Sequence, residues 1–148
     1  MIRPAAPGDA AALAAIYNHY IAATTVTFEV EEVTEEEMRG RVERVGARFP
    51  WLVWEEAGRV EGYAYAGALK ERAAYGRTAE TSVYVRAGGG RRGGGAALYT
   101  ELLHRLQQRG VHTAIGRSIL SQLLFSSFQL LGVLLVSAPS FFRDPDPT

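Results

Sequence analysis

The pattern of apolar and polar positions divides the chain into short elements as far as residue 116, and then loses its contrast. Met1 to Pro4 reads as a short strand. Asp9, with Gly8 before it and an alanine-rich run after it, reads as a helix N-cap. Leu13, Ile16, Tyr17 and Tyr20 recur at helical spacing and carry that helix to about Ala22. Thr24 to Phe28 is β-branched and aromatic, which predicts extended chain or loop. Thr34 followed by Glu37 has capping-box spacing and starts a strongly charged helix to about Arg48, stopped by Pro50. Trp51 to Glu55 and Val60 to Ala68 read as two strands around a tight turn at Gly58, a hairpin. Residues 69–79 read as a loop and Ser82 to Arg86 as the next strand. Ala96 to Gln108 is a helix closed by Gly110, and Val111 to Ile115 begins a further strand.

Beyond that point no charged residue occurs from Ser118 to Phe142, a leucine-rich run. At about 1.5 Å per residue a helix of that length reaches across a bilayer. Gln122, Ser126 and Gln129, however, put a polar stripe along it, so a membrane span is not expected. Arg143 to Thr148 is expected to be disordered. The chain therefore divides into an organised region, 1–116, and an atypical segment, 117–148. The abruptness of the change leads to the expectation that 117–148 derives from an altered reading frame, a splice variant or an annotation error.

Composition narrows the chemistry. The 148 residues suffice for one domain with a real core. A formal net charge of zero provides no global field for nucleic acid. Cysteine is absent, which excludes disulfides, a thiol nucleophile and thiolate zinc sites. His19, His104 and His112 have no metal-ligand spacing, so no metal is expected. No basic stretch followed by an apolar run opens the chain, and the expected compartment is cytoplasmic.

The densest chemical signal lies between Glu80 and Tyr99. A β-prone run leads through a turn crowded with glycine and arginine into a good helix former. Strand, glycine-rich turn and helix N-terminus make an anion site, because the first helical turn leaves backbone N–H groups unpaired. Gly93, Gly94 and Gly95 let a phosphate approach the backbone, and Arg91 and Arg92 add suitable charge. The segment is thus read as holding the pyrophosphate of a nucleotide-like cofactor. Gly88 to Gly93 also matches G-x-G-x-x-G, but the next acidic residue after Glu101 is Asp144. A dinucleotide fold would need a ribose carboxylate well before that.

Several motifs in order resemble the phosphinothricin-type N-acetyltransferases of the GNAT superfamily over roughly residues 1–116. They are Ile2 to Ala5 (IRPA), Ile16 to Ile21 (IYNHYI), Thr25 to Glu29 (TVTFE), Pro50 to Val53 (PWLV), Gly62 to Gly67 (GYAYAG), Arg72 to Tyr75 (RAAY), Thr78 to Val85 (TAETSVYV) and Ala97 to Leu103 (ALYTELL). The resemblance implies an α/β (α+β) fold, a mixed sheet flanked by helices. It implies acetyl-CoA as co-substrate, bound where the fourth and fifth strands splay apart. Backbone groups of Val83, Tyr84 and Val85 would hold the pantetheine arm and polarise the thioester. Glu80, placed just before the fourth strand, would be the base that takes the amine proton. Phe28, Glu29, Arg72 and Tyr75 would meet a small amine substrate, of phosphinothricin or methionine sulfoximine type. Asn18, His19 and Tyr20 are assigned to capping and packing. Family members are often dimers, so a homodimer is a further expectation.

The chain departs from the family in two places. The phosphate motif falls on Gly90 to Gly95 when anchored on ALYT, and on Arg91 to Ala96 when shifted by one, and its many glycines predict weaker CoA binding. After Ala114-Ile115-Gly116 the family's last helix and strands, with a proposed catalytic histidine, have no counterpart. The alternative reading is a catalytically inactive, truncated acetyltransferase-like module.

Overall fold

The structure, a computed structural model, describes residues 1–23, 29–68, 77–89, 93–118 and 134–136. Strand β1 (Ile2–Pro4) leads through a 3-10 turn (Pro7–Asp9) into helix α1 (Ala10–Ala23) and then helix α2 (Glu35–Gly46). Strands β2 (Trp51–Glu56), β3 (Arg59–Ala68) and β4 (Thr78–Val85) follow, then α3 (Gly94–Gln108), β5 (Thr113–Ser118) and β6 (Leu134–Val136). The strands form one sheet in sequence order. All neighbours are antiparallel except β4 and β5, which are parallel and joined through α3. Parallel neighbours require such a crossover.

Side chains alternate across the sheet and build two cores. Leu13, Ile16, Tyr17 and Tyr20 of α1 and Met38 and Val42 of α2 pack with Trp51, Val53, Tyr63 and Tyr84 on one face. Leu98, Leu102 and Leu106 of α3 pack with Leu52, Trp54, Ala64, Ala66, Val83 and Val85 on the other.

Local signals explain most boundaries. Glu37 N–H donates to the Thr34 hydroxyl at 3.2 Å, and Thr34 N–H donates to the Glu37 carboxylate at 2.8 Å, the expected capping box. At the end of α3, Gly110 has φ 78°, its N–H reaches Gln107 O, and Val111 N–H reaches Leu106 O. This paired closure spends Val111 on the helix, so β5 begins at Thr113 rather than Val111. Gly58, at φ 75°, turns the β2–β3 hairpin.

Two expectations need correction. Asp9 does not cap α1: its carboxylate accepts Ala6 N–H at 2.7 Å and forks with Arg3 at 2.8 and 2.9 Å. Arg3 also reaches Glu55 at 2.8 Å, so Asp9 helps fasten β1 to β2. Strand β4 starts at Thr78, not Ser82, because it is paired on both edges from its first residues. Ala68 opposes Ala79 on one side, and Thr113 opposes Thr78 on the other. Glu80 therefore sits inside the strand. Of the uncharged run, Leu134–Val136 lies antiparallel to β5 on its outer edge; the expectations for the rest of it fall outside the described residues.

Candidate active site

Strand β4 lies between β3 and β5, and its end carries the candidate site. Its register with β3 is unbroken through Gly62↔Val85, and among the described residues its pairing with β5 is followed as far as Val83↔Ser118. Arg86 N–H donates to Glu61 O at 2.7 Å, so Arg86 points its backbone at β3. Backbone groups alternate along a strand. Tyr84 therefore faces β3, while Val83 and Val85 face the β5 side. The Val85 carbonyl accepts the Tyr20 hydroxyl, which ties α1 to the strand end.

Next comes a turn from Arg86 to Gly89, closed by Gly89 N–H to Arg86 O at 2.9 Å, with Gly88 at φ 83°. That positive φ is what glycine tolerates at this turn position. Arg86 is drawn away toward Val60 O, at 3.0 Å, and Glu61. Gly93 caps α3 at φ 75° without a side-chain bond, and Gly94 and Gly95 form the buried first turn. The first-turn N–H groups have no partner within the helix. A Cβ on Gly94 would lie 2.3 Å from the Trp54 ring, so only glycine lets the helix start seat on that indole. Arg91 and Arg92 lie outside the described residues.

Glu80, Ser82 and Tyr84 share the α1/α2 face of β4. Tyr65 lies opposite Ser82. Burial pushes the Tyr65 hydroxyl's titration upward, and the nearby Glu80 carboxylate pushes it the same way. Tyr63, Tyr65 and Trp51 stack, with Trp51 and Tyr65 centroids 4.3 Å apart. Together with Tyr17, Arg41 and Arg44 they line a cavity of about 370 Å³ beneath α2. Glu29 lies beside it. Its carboxylate forks with Arg41 at 2.5 and 3.1 Å and accepts the Tyr17 hydroxyl. Arg41 holds the Glu29 carboxyl below the usual range. Burial, then the Glu29 carboxylate, raises the Tyr17 hydroxyl well above its own. Phe28, Arg72 and Tyr75 lie outside the described residues.

Residues 2–124 match the acetyltransferase (GNAT) domain family. The chain is a GNAT acetyltransferase family member. It is 45% identical over 115 residues to a phosphinothricin N-acetyltransferase of Streptomyces viridochromogenes, covering 78% of this chain and 63% of that protein. It is 32% identical over 116 residues to an L-methionine sulfoximine/L-methionine sulfone acetyltransferase of Salmonella typhimurium, covering 78% and 68%. A crystal structure of a GNAT superfamily phosphinothricin acetyltransferase from Sinorhizobium meliloti, in complex with acetyl-CoA, superposes with a TM-score of 0.74 at 32% identity, covering 78% and 64%. The chain thus spans less than two thirds of the Streptomyces relative's length.

This GNAT domain places Glu80 inside β4 on the α1/α2 face, Glu29 beside Arg41, Val83 and Val85 at the end of β4, and Gly93 to Gly95 at the start of α3 on the other face. Sequence reasoning missed Tyr17, Arg41, Trp51 and Trp54 as parts of the site. Tyr17 carried a helical-periodicity signal, and it reads equally well as plain core. Arg41 and Trp54 gain meaning only from partners distant in sequence, Glu29 and Gly94. Among the described residues no cluster of His, Asp and Glu could hold a metal, and no helix is long and apolar enough to cross a membrane.

Proposed function

We propose that this GNAT domain transfers the acetyl group of acetyl-CoA to the amino group of a small amino acid analogue, of phosphinothricin or methionine sulfoximine type. The carrying observation is the order of features along one stretch of chain. Glu80 stands on the tyrosine-rich face, main-chain groups of Val83 and Val85 face the β5 side at the end of β4, and Gly93 to Gly95 start α3 just beyond. The residues fit the cofactor: first-turn N–H groups without a partner inside the helix suit a pyrophosphate, and no described residue crowds the Cβ positions of Gly88 and Gly93. Arg91 and Arg92 would add charge. The relatives' names supply the acceptor class.

Glu80 takes the ammonium proton, directly or through water, and frees the amine lone pair. The amine then attacks the thioester carbon, and main-chain groups of Val83 and Val85 polarise its carbonyl. The C–S bond breaks, the amide forms, and the CoA thiolate leaves and takes up a proton. Phe28, Arg72 and Tyr75 would contact the acceptor, and Glu29 would hold the pocket wall.

Calorimetry with acetyl-CoA and thiol release with phosphinothricin and methionine sulfoximine test this. Glu80→Gln should lower kcat by about 10²–10⁴-fold and leave acetyl-CoA affinity unchanged. No acetyl-CoA binding by a folded chain would sink the proposal. Binding without turnover of either acceptor would instead favour the inactive module.

A further inference from the structure

The cavity beneath α2 has aromatic walls, Tyr17, Trp51, Tyr63 and Tyr65, and two arginines along it. The arginines differ. Arg41 is engaged: its guanidinium forks onto Glu29 and lies 5.8 Å from the Tyr17 ring centre. Arg44, about one turn further along α2, is exposed and makes no ion pair or hydrogen bond with another described residue. Trp51 is only 6% exposed, yet its indole N–H has no acceptor among the described residues. Buried donors are rarely left unpaired, so this one marks a place where an acceptor atom belongs. Trp51 also borders a smaller cavity of about 130 Å³, but the arginines there are taken, Arg105 by Glu101 and Arg109 by the Arg48 carbonyl.

We propose that the larger cavity is an anion subsite for the acceptor. Arg44 and the Trp51 indole N–H take the phosphinate end group, not the α-carboxylate that both kinds of acceptor share, and the aromatic walls take the short aliphatic arm that carries it. The volume is of the size that small-molecule sites have. A guanidinium offers paired donors to a planar or tetrahedral oxyanion, and the indole N–H adds one fixed direction. The subsite lies on the same face of the sheet as Glu80, so the proton acceptor and the anion holder address one side of the molecule. A neutral sulfone has acceptor oxygens but no charge for Arg44. This inference rests on the transferase reading for its acceptor, and the experiment separates the two.

The full chain is titrated with phosphinothricin by tryptophan fluorescence, without acetyl-CoA, and then assayed for thiol release with phosphinothricin and methionine sulfone. Arg44→Ala should weaken phosphinothricin binding and lower its preference over the sulfone roughly ten- to a hundredfold, through KM rather than kcat. Arg44→Lys should restore part of that preference. Trp51→Phe, which keeps a ring but removes the N–H, should weaken both acceptors. Equal effects of Arg44→Ala on both acceptors, or none on either, overturn the subsite. So does a folded wild-type chain that shows no saturable phosphinothricin binding. Phosphinothricin held through Arg44 by a chain that neither binds acetyl-CoA nor releases thiol overturns the transferase reading and leaves the subsite standing.

Discussion

The two faces of the sheet use alternate residues of the same strands, and they pack differently. The α3 face is filled by Leu52, Ala64, Ala66, Val83, Leu98, Leu102 and Leu106, all nearly or wholly buried. Its polar exception, Thr81, is satisfied by the Tyr99 hydroxyl at 3.1 Å and the Ile115 carbonyl at 3.3 Å. The α1/α2 face is built of tyrosines, Trp51 and a Glu29–Arg41 pair, and it encloses open volume. Rings with polar tips cannot interdigitate as aliphatic side chains do, and each tip asks for a partner. One face is thus a foundation that holds the helix start in place. The other trades packing for directed polar groups, which is what a small polar ligand can use.

This contrast can be broken by truncation. Leu102→Ala, on the filled face, should lower unfolding stability by about 2–5 kcal/mol, because a cavity opens where none exists. Val45→Ala, beside the existing cavity, should cost well under half of that in the same denaturant titration. Comparable losses would end the distinction. Gly94→Ala should cost about 1–3 kcal/mol through its overlap with Trp54. It should also raise the KM for acetyl-CoA, and pairing it with Trp54→Leu should recover part of both. A purely additive double variant would show that the indole is not the obstacle.

Tyr20→Phe should cost about 1 kcal/mol, since it strips a hydrogen bond from a buried carbonyl. Its distinguishing effect would be on acetyl-CoA affinity, read by calorimetry. The smallest effect concerns Glu29. Arg41 depresses its carboxyl, so the pair stabilises the fold above the ordinary glutamate range and loses that contribution as pH falls through the depressed value. Glu29→Gln should therefore lower stability at neutral pH and leave it nearly unchanged once pH is below the depressed value, which flattens the acid side of the profile, measured by thermal unfolding across pH. Glu29 is partly exposed, so the flattening should be modest.

Periodicity and capping made the three helices and the hairpin legible, because those signals lie within a few residues of one another. Thr34 with Glu37, and Gly110 after Gln108, could be read directly. The start of β4 could not, because Thr78 to Thr81 become strand through pairing with Gly67, Ala68 and β5, all remote or across a crossover. That is why Glu80 was expected at a strand edge and lies within the strand. Asp9 looked like a cap because its neighbours are helix formers, but a guanidinium from β1 forks onto it. Glu29 was marked as a site residue by resemblance, while its partners Tyr17 and Arg41 came only from the folded chain. The seating of Gly94 on Trp54 had no local signal at all.

The Arg77 carbonyl accepts two N–H groups, from His112 at 2.8 Å and from Thr113 at 3.1 Å. It stands immediately before β4, and the donors stand at the entry to β5. The two parallel strands are therefore fastened at their base like the closed end of a zipper, and the teeth run from Thr78↔Thr113 at least to Val83↔Ser118. The amides of His112 and Thr113 should therefore exchange slowly although they stand at a strand entry, because both close onto that one carbonyl.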